Sequence, residues 1–218
     1  MGHGGLGLRN ATTEIRHRAN RGLTSLTAYK PLENGAHVFD TQYAGGQWDY
    51  LRSPDEAPRY GVVAGYTALL PGRPALLEVG CGEGLLLDHL DRNRMSRFTG
   101  IDISPVAIDR ARSLEDESVR FVRAEAETFA ADDTFDAIVF NEMLYYLHEP
   151  LAVVRRVEHA LSPGGWFIVS MFGGLHTGAA RHIWKVMGRR YEVVAHARIR
   201  PRRSYVWDVK VLTVPTHA

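Results

Sequence analysis

Between Ala75 and Leu90 the chain reads ALLEVGCGEGLLLDHL, and no other stretch narrows the fold as much. The apolar run Ala75 to Val79 has strand character. It stops at glycines on alternate positions, Gly80, Gly82 and Gly84, and a helical apolar pattern begins at Leu85. A strand, a tight turn and a helix in direct succession open a nucleotide-binding α/β unit. Glycines take backbone angles that side chains forbid, and they let a ligand lie against the main chain. A helix starting there would aim its free amide groups at that ligand.

Two familiar nucleotide loops do not fit. The dinucleotide fingerprint G-x-G-x-x-G/A needs glycine or alanine at position 85, where this chain has leucine, and this counts against a nicotinamide-dependent oxidoreductase. The phosphate-cradling loop G-x-x-x-x-G-K-[ST] needs a lysine, and none follows these glycines. What stands here is Glu78-x-Gly80-x-Gly82-x-Gly84. It resembles the signature of class I S-adenosylmethionine (SAM)-dependent methyltransferases. The resemblance implies a turn of Glu78, Gly80, Cys81, Gly82 and Gly84 that binds SAM and releases S-adenosylhomocysteine.

From Pro74 onward strands and helices alternate. Strands are expected at 75–79, 97–103, 119–124, 135–141 and 165–172, and helices at 84–92, 105–114 and 150–161. Pro105 starts a helix, and Ser162-Pro163-Gly164-Gly165 breaks the chain before the fifth strand. Alternation at this spacing implies a parallel sheet covered on both faces. After a helix at 178–188, two β-rich runs, 191–199 and 204–214, are joined by Arg200-Pro201-Arg202-Arg203. A link this short makes them antiparallel, because a parallel crossover needs a dozen or more residues. The expected fold is therefore α/β: a doubly wound, mostly parallel seven-stranded sheet with a C-terminal antiparallel hairpin. The resemblance covers roughly residues 40–214. Ahead of the core at 74–218 we expect a flexible arm at 1–38 and a helical lid at 39–73, with a helix over 56–70 ended by Pro71-Gly72.

The second strand ends Gly100-Ile101-Asp102-Ile103-Ser104. A carboxylate at the tip of that strand, beside the glycine turn, is placed to accept bonds from both ribose hydroxyls, so Asp102, with Ile103 beside it, is assigned to the cofactor. Ser104 before Pro105 fills the helix N-cap. The third strand ends Arg123-Ala124-Glu125-Ala126-Glu127, which resembles the family's acidic-Ala-Glu motif. By that match Glu125 receives the adenine amino group and the Ala126 amide meets the ring. Glu stands where Asp is common, a difference of one methylene in reach. The fourth strand runs into Asn141-Glu142-Met143-Leu144-Tyr145-Tyr146-Leu147-His148. In the resembling family this loop, from Asn141 on, borders the methionine part of the cofactor and the acceptor. The Pro-Pro-aromatic signature of base-amine methylation is missing from it.

Methyl transfer from a sulfonium is an in-line displacement that inherently requires neither a metal nor a covalent intermediate. Alignment supplies much of the acceleration, with effective molarities of about 10⁵ M or more. A hydroxyl acceptor also wants a general base within hydrogen-bond reach. Glu142, Tyr145, His148 and His176 are the candidates on loops at the expected active face. The remaining histidines offer no metal-ligand spacing, and no metal is expected. Upstream, Phe39, Tyr43, Trp48, Tyr50 and Tyr60 crowd into one segment with Arg59. Aromatic faces attract a sulfonium as they do other cations, which brings Tyr43 and Trp48 to the cofactor, and Arg59 could pair with its carboxylate. Gly45 and Gly46 suggest a hinge for a lid that closes over cofactor.

A formal net charge of +1 gives no electrostatic case for a nucleic-acid partner. Arginines at 189, 190, 198, 200, 202 and 203 read as a solvated hairpin. One cysteine, Cys81, cannot form an internal disulfide and favours a reducing compartment. No apolar run is long enough to span a bilayer, no signal-peptide pattern opens the chain, and Leu6 stands where a myristoylation motif wants Ser or Thr. The expectation is a cytoplasmic monomer or homodimer that contacts neither membrane nor nucleic acid. It methylates a small molecule, preferably at an oxygen of a sugar or other hydroxylated metabolite. A small-molecule N-methyltransferase and a non-catalytic SAM-binding sensor or partner subunit are the alternatives.

Overall fold

The computed structural model describes residues 35–173, 178–202 and 205–215. Seven strands form one sheet: β1 (Ala75–Val79), β2 (Arg97–Asp102), β3 (Val119–Arg123), β4 (Phe135–Asn141), β5 (Leu161–Phe172), β6 (Glu192–Arg202) and β7 (Tyr205–Thr213). Their order is β3-β2-β1-β4-β5-β7-β6. The first five pair in parallel, while β7 runs antiparallel to both β5 and β6. This is the expected sheet with its C-terminal hairpin. The order reverses at β1, which lies between β2 and β4, so the ends of these three strands share one crevice.

Among the described residues five α-helices accompany the sheet: α1 (Ala36–Ala44), α2 (Ala57–Thr67), α3 (Pro105–Ala111), α4 (Pro150–Glu158) and α5 (Gly178–Met187). Side chains alternate between the faces, as strand geometry requires. Leu77, Val79, Ile138 and Phe140 pack with Val153, Val157, Ile183 and Met187 of α4 and α5. Leu76, Ala137, Val139 and Ile168 pack with Tyr60 and Val63 of α2 and with Ile108 of α3. Among the described residues no helix is long and apolar enough to cross a membrane.

The helix expected at 84–92 does not form. Leu85–His89 is a short 3₁₀ turn, Leu90 is extended, and Arg92–Arg94 makes a second 3₁₀ turn. Leu85, Leu86 and Leu87 are all buried, and three consecutive buried residues cannot share the one buried stripe of a surface α-helix. They can be buried because α2 covers this segment, with Tyr60 stacked on His89 at 5.1 Å between ring centroids. The α-helix whose first amides are expected to face a ligand is therefore replaced by a 3₁₀ turn. Gly80 N and Cys81 N instead donate to Ile101 O, at 2.8 and 2.9 Å. The helix expected over 105–114 divides into α3 and a 3₁₀ turn at Arg112–Leu114. β5 begins at Leu161 rather than 165, and its pairing with β4 shifts register between Phe135 and Ala137, where Gly164 turns at φ +77°.

A candidate cofactor and acceptor cavity

At the end of β1 the chain turns through Gly80 and Gly82, at φ +75° and +55°. Neither could carry a side chain here: a Cβ on Gly80 would lie 2.8 Å from Met143 Cβ, and one on Gly82 would lie 2.6 Å from the Tyr43 hydroxyl. Bare main chain thus forms the floor of a cavity that also runs past Asp102, Ile103, Glu125 and Ala126. The carboxylate of Asp102 accepts from Gly82 N and from Ser104 N, both at 2.9 Å. Burial pushes its pKa up, and the amides of Ser104, Gly82 and Ile103 pull the other way. Cys81 faces into the fold beside Gly100, whose missing side chain makes room for Sγ. Burial, with Asp102 and Glu78 nearby, raises the thiol well above its ordinary pKa, which disfavours the thiolate form. Gly84 does not line the cavity; a Cβ there would lie 2.7 Å from Phe121 Cζ.

A chain of buried polar groups crosses the floor. Arg59 and Glu56 are each 1% exposed and form an ion pair, with Arg59 Nε and Nη2 donating to Glu56 Oε2 at 3.2 and 3.0 Å. Arg59 Nη1 donates to Asn141 Oδ1, and Asn141 in turn bonds Glu78. Burial works against the Arg59 charge, but Tyr60, Glu56 and Glu142 hold its ionisation above the ordinary range. Glu78 is the anomaly. It is 2% exposed, it lines the cavity, and its Oε2 has no hydrogen-bond partner. Burial outweighs Asn141 and Arg59 and pushes its pKa up to about 8.

The N-terminal elements roof the site. Trp48 lies 5.8 Å from Tyr43, 6.5 Å from Phe39 and 6.3 Å from Tyr146, centroid to centroid, and all four rings line the cavity. Two polar contacts tie the roof down. Asp40 Oδ1 accepts from the hydroxyl of Ser104, the α3 N-cap, at 2.5 Å. Arg52 donates to Glu83 Oε2 at 2.5 Å, while Arg110 donates to Glu83 Oε1.

Of the four side chains expected to handle a proton, Glu142 and His148 line the cavity. His148 is exposed at its rim, where its main-chain N donates to Glu127 Oε1 at 3.0 Å. Tyr145 is 3% exposed and absent from the cavity wall, but its hydroxyl donates to Glu142 Oε2 at 2.5 Å. His176 lies outside the described residues. The sequence reading missed Glu56, Tyr146, Asp40 and Ser170. The i, i+3 spacing of Glu56 and Arg59 at a helix start was the available signal for the first. Among the described residues no group of three or more His, Cys, Asp or Glu is placed to hold a metal ion.

A family profile described as a methyltransferase domain matches residues 46–210. The chain belongs to the class I SAM-dependent methyltransferases. Within that family it is similar to a ubiquinone biosynthesis O-methyltransferase of Alkalilimnicola ehrlichii, 32% identical over 144 residues, which are 64% of this chain and 55% of the relative. It is also 27% identical to the mouse mitochondrial arginine-hydroxylase NDUFAF5 over 101 residues, 46% of this chain and 29% of that protein. The chain therefore spans about half the length, or less, of these curated relatives. The N-methyltransferase NodS of Bradyrhizobium japonicum, solved with S-adenosylhomocysteine, superposes with a TM-score of 0.72 at 21% identity, covering 84% of this chain and 100% of NodS. At that identity the likeness speaks for the fold alone.

Proposed function

We propose that this methyltransferase moves the methyl group of SAM to an oxygen of a small hydroxylated molecule. The observation that carries the reading is the pair of inward-facing carboxylates, Glu78 and Asp102, on either side of bare main chain at Gly80 and Gly82. An unpartnered buried carboxylate oxygen is costly, and a ligand donor is what satisfies it. The amino group of a methionine moiety is such a donor, so the residues present fit SAM. In this reading Asp102 takes the ribose hydroxyls, Glu125 and the Ala126 amide take adenine, and Arg59 and Asn141 lie toward the methionine end. Tyr43 and Trp48 present ring faces to a cation. When bound, SAM supplies an electrophilic methyl group. The chain's own residues exclude water, align the acceptor and accept its proton.

The choice of oxygen is supported by the Glu142 carboxylate on the cavity wall, since an amine need only arrive unprotonated whereas a hydroxyl must lose a proton. The names of the O-methyltransferase relatives agree with it. Phe39, Trp48 and Tyr146 make the roof apolar, which favours a flat hydroxylated molecule over a sugar, within the sugar or other hydroxylated metabolite expected from the sequence. The segment from α1 to α2 acts as the lid, and the protein works as a cytoplasmic enzyme on a free small molecule.

Calorimetry with S-adenosylhomocysteine tests the reading. Binding is expected for the wild type, and Asp102→Asn should weaken it about 10- to 100-fold, the loss of charge-assisted bonds to the ribose. No binding by the wild type, or equal binding by Asp102→Asn, would overturn it.

A further inference from the structure

Glu142 is the one non-glycine residue with a positive φ, 63°, among the described residues. That conformation costs an L-residue roughly 1–2 kcal/mol, and such strain gathers at functional sites when its surroundings enforce it. The enforcement is visible. Asn141 ends β4 in register with Ser170 of β5, and the next amide, Glu142 N, donates to Ser170 O at 3.0 Å. The left-handed turn then carries the Glu142 carboxylate back toward β5. There Oε1 accepts from Ser170 Oγ at 3.1 Å, and Oε2 accepts from the Tyr145 hydroxyl at 2.5 Å. Ser170 is fully buried and Tyr145 nearly so, yet Glu142 lines the cavity. A strained residue thus has its carboxylate gripped from behind by two hydroxyls at the cavity wall. His148, the other candidate on the cavity wall, is exposed at the rim, and only its main chain is seen to be held.

We infer that Glu142 is the catalytic residue that receives the acceptor's hydroxyl proton, and that Tyr145 and Ser170 are positioning residues that aim its carboxylate. The inference rests on the proposed methyl transfer to oxygen and names the group that makes it possible. The acceptor oxygen forms its bond to the methyl carbon as that carbon's bond to sulfur breaks. The electron pair stays on sulfur, and the hydroxyl proton passes to Glu142 and from there to water. Fixed placement is what a proton acceptor needs, because the transfer requires heavy atoms about 2.6–3.2 Å apart. Tyr145 contributes through Glu142 and not by touching the acceptor.

The test uses the full chain with S-adenosylhomocysteine bound and 4-nitrophenol as a coloured hydroxyl probe. A carboxylate beside the bound hydroxyl favours its protonated, colourless form over the yellow phenolate. Wild type should bleach the probe at pH 8, Glu142→Gln should not, and Tyr145→Phe and Ser170→Ala should bleach it less than wild type. With a methylated hydroxyl acceptor, Glu142→Gln should lower kcat about 10²- to 10⁴-fold. Tyr145→Phe and Ser170→Ala should lower kcat about tenfold, with the KM for SAM and the melting temperature little changed. No bleaching by the wild type, or equal bleaching by Glu142→Gln, overturns the inference, as does wild-type kcat in that variant. Calorimetry separates this failure from that of the broader reading. If S-adenosylhomocysteine binds wild type and Glu142→Gln alike, only the role of Glu142 has fallen. If it binds neither, the proposed function has fallen.

Discussion

Replacing Glu78 with glutamine should make this protein more stable while weakening its hold on cofactor. The carboxyl is 2% exposed, one oxygen has no partner, and burial raises its pKa from the ordinary 4.5 to about 8. Between these values the folded chain keeps a proton that the unfolded chain has released, so stability present below pH 4.5 is lost as pH rises toward 8. At about 1.36 kcal/mol per pH unit, the penalty at pH 7 is about 3 kcal/mol, and it levels off above pH 8. Glutamine has the same shape, can still accept from Asn141 and never ionises. Urea denaturation at steps from pH 5 to 9 should therefore show near-equal stability at pH 5. A gap in favour of Glu78→Gln should open to about 3 kcal/mol at pH 7, or roughly 6–12 °C in melting temperature. Binding should move the other way. If an ammonium group docks on Glu78, the wild type releases about one proton on binding at pH 7, and calorimetry in buffers of different ionisation enthalpy detects it. Glu78→Gln should bind more weakly and release none. A stability gap that stays constant with pH, or favours the wild type, would refute the reasoning about burial.

Three further substitutions probe the rest of the site. Gly82→Ala combines a left-handed backbone with a Cβ 2.6 Å from the Tyr43 hydroxyl. It should cost at least about 1–2 kcal/mol, and adding Tyr43→Phe should restore part of that in a double-mutant cycle. A purely additive pair would mean that α1 does not rest on the glycine turn. Arg59→Met leaves the buried Glu56 carboxylate without its cation and should destabilise by about 3–5 kcal/mol in denaturant titration; a change below about 1 kcal/mol would mean the pair is solvated. His148→Ala, at an exposed rim position, should leave stability within about 0.5 kcal/mol and leave turnover near wild type. A hundredfold loss of kcat would move the proton acceptor from Glu142 to His148.

Strand positions were legible because a parallel strand covered on both faces is mostly apolar, and Leu76-Leu77 of β1, Phe98 and Ile101 of β2 and Ala137 to Phe140 of β4 are buried apolar residues. Asp102 was legible for a related reason: a charged residue at the tip of such a strand has nowhere to go except the crevice. The helix after the glycines was misread because three leucines in a row satisfy a helical pattern as well as they satisfy a covered 3₁₀ turn. Which of the two forms depends on α2, distant in sequence. Arg59 does line the cavity, and what the sequence reading missed is that Glu56, three residues upstream, takes two of its donors. The grip on Glu142 could not be read at all. It joins residues 142, 145 and 170 through a backbone conformation that glutamate does not advertise.

The same pole of the sheet holds the strained Glu142, the unpartnered Glu78 and the half-buried Asp102, while the middles of the strands are mostly well-packed apolar groups. This division follows from topology. Where the strand order reverses, no helix can cover the tips of β1, β2 and β4 at once, so their last residues end facing a crevice. Polar groups there can be satisfied by water, by one another or by a ligand. Arg59, Asn141 and Glu56 satisfy one another, whereas Glu78 keeps one oxygen that they do not reach. A ligand that supplied that donor would gain more than its contact area implies, because it would also remove a cost the folded chain already carries. Its stabilisation of the fold at a given concentration would then be set by this one bond more than by the aromatic roof.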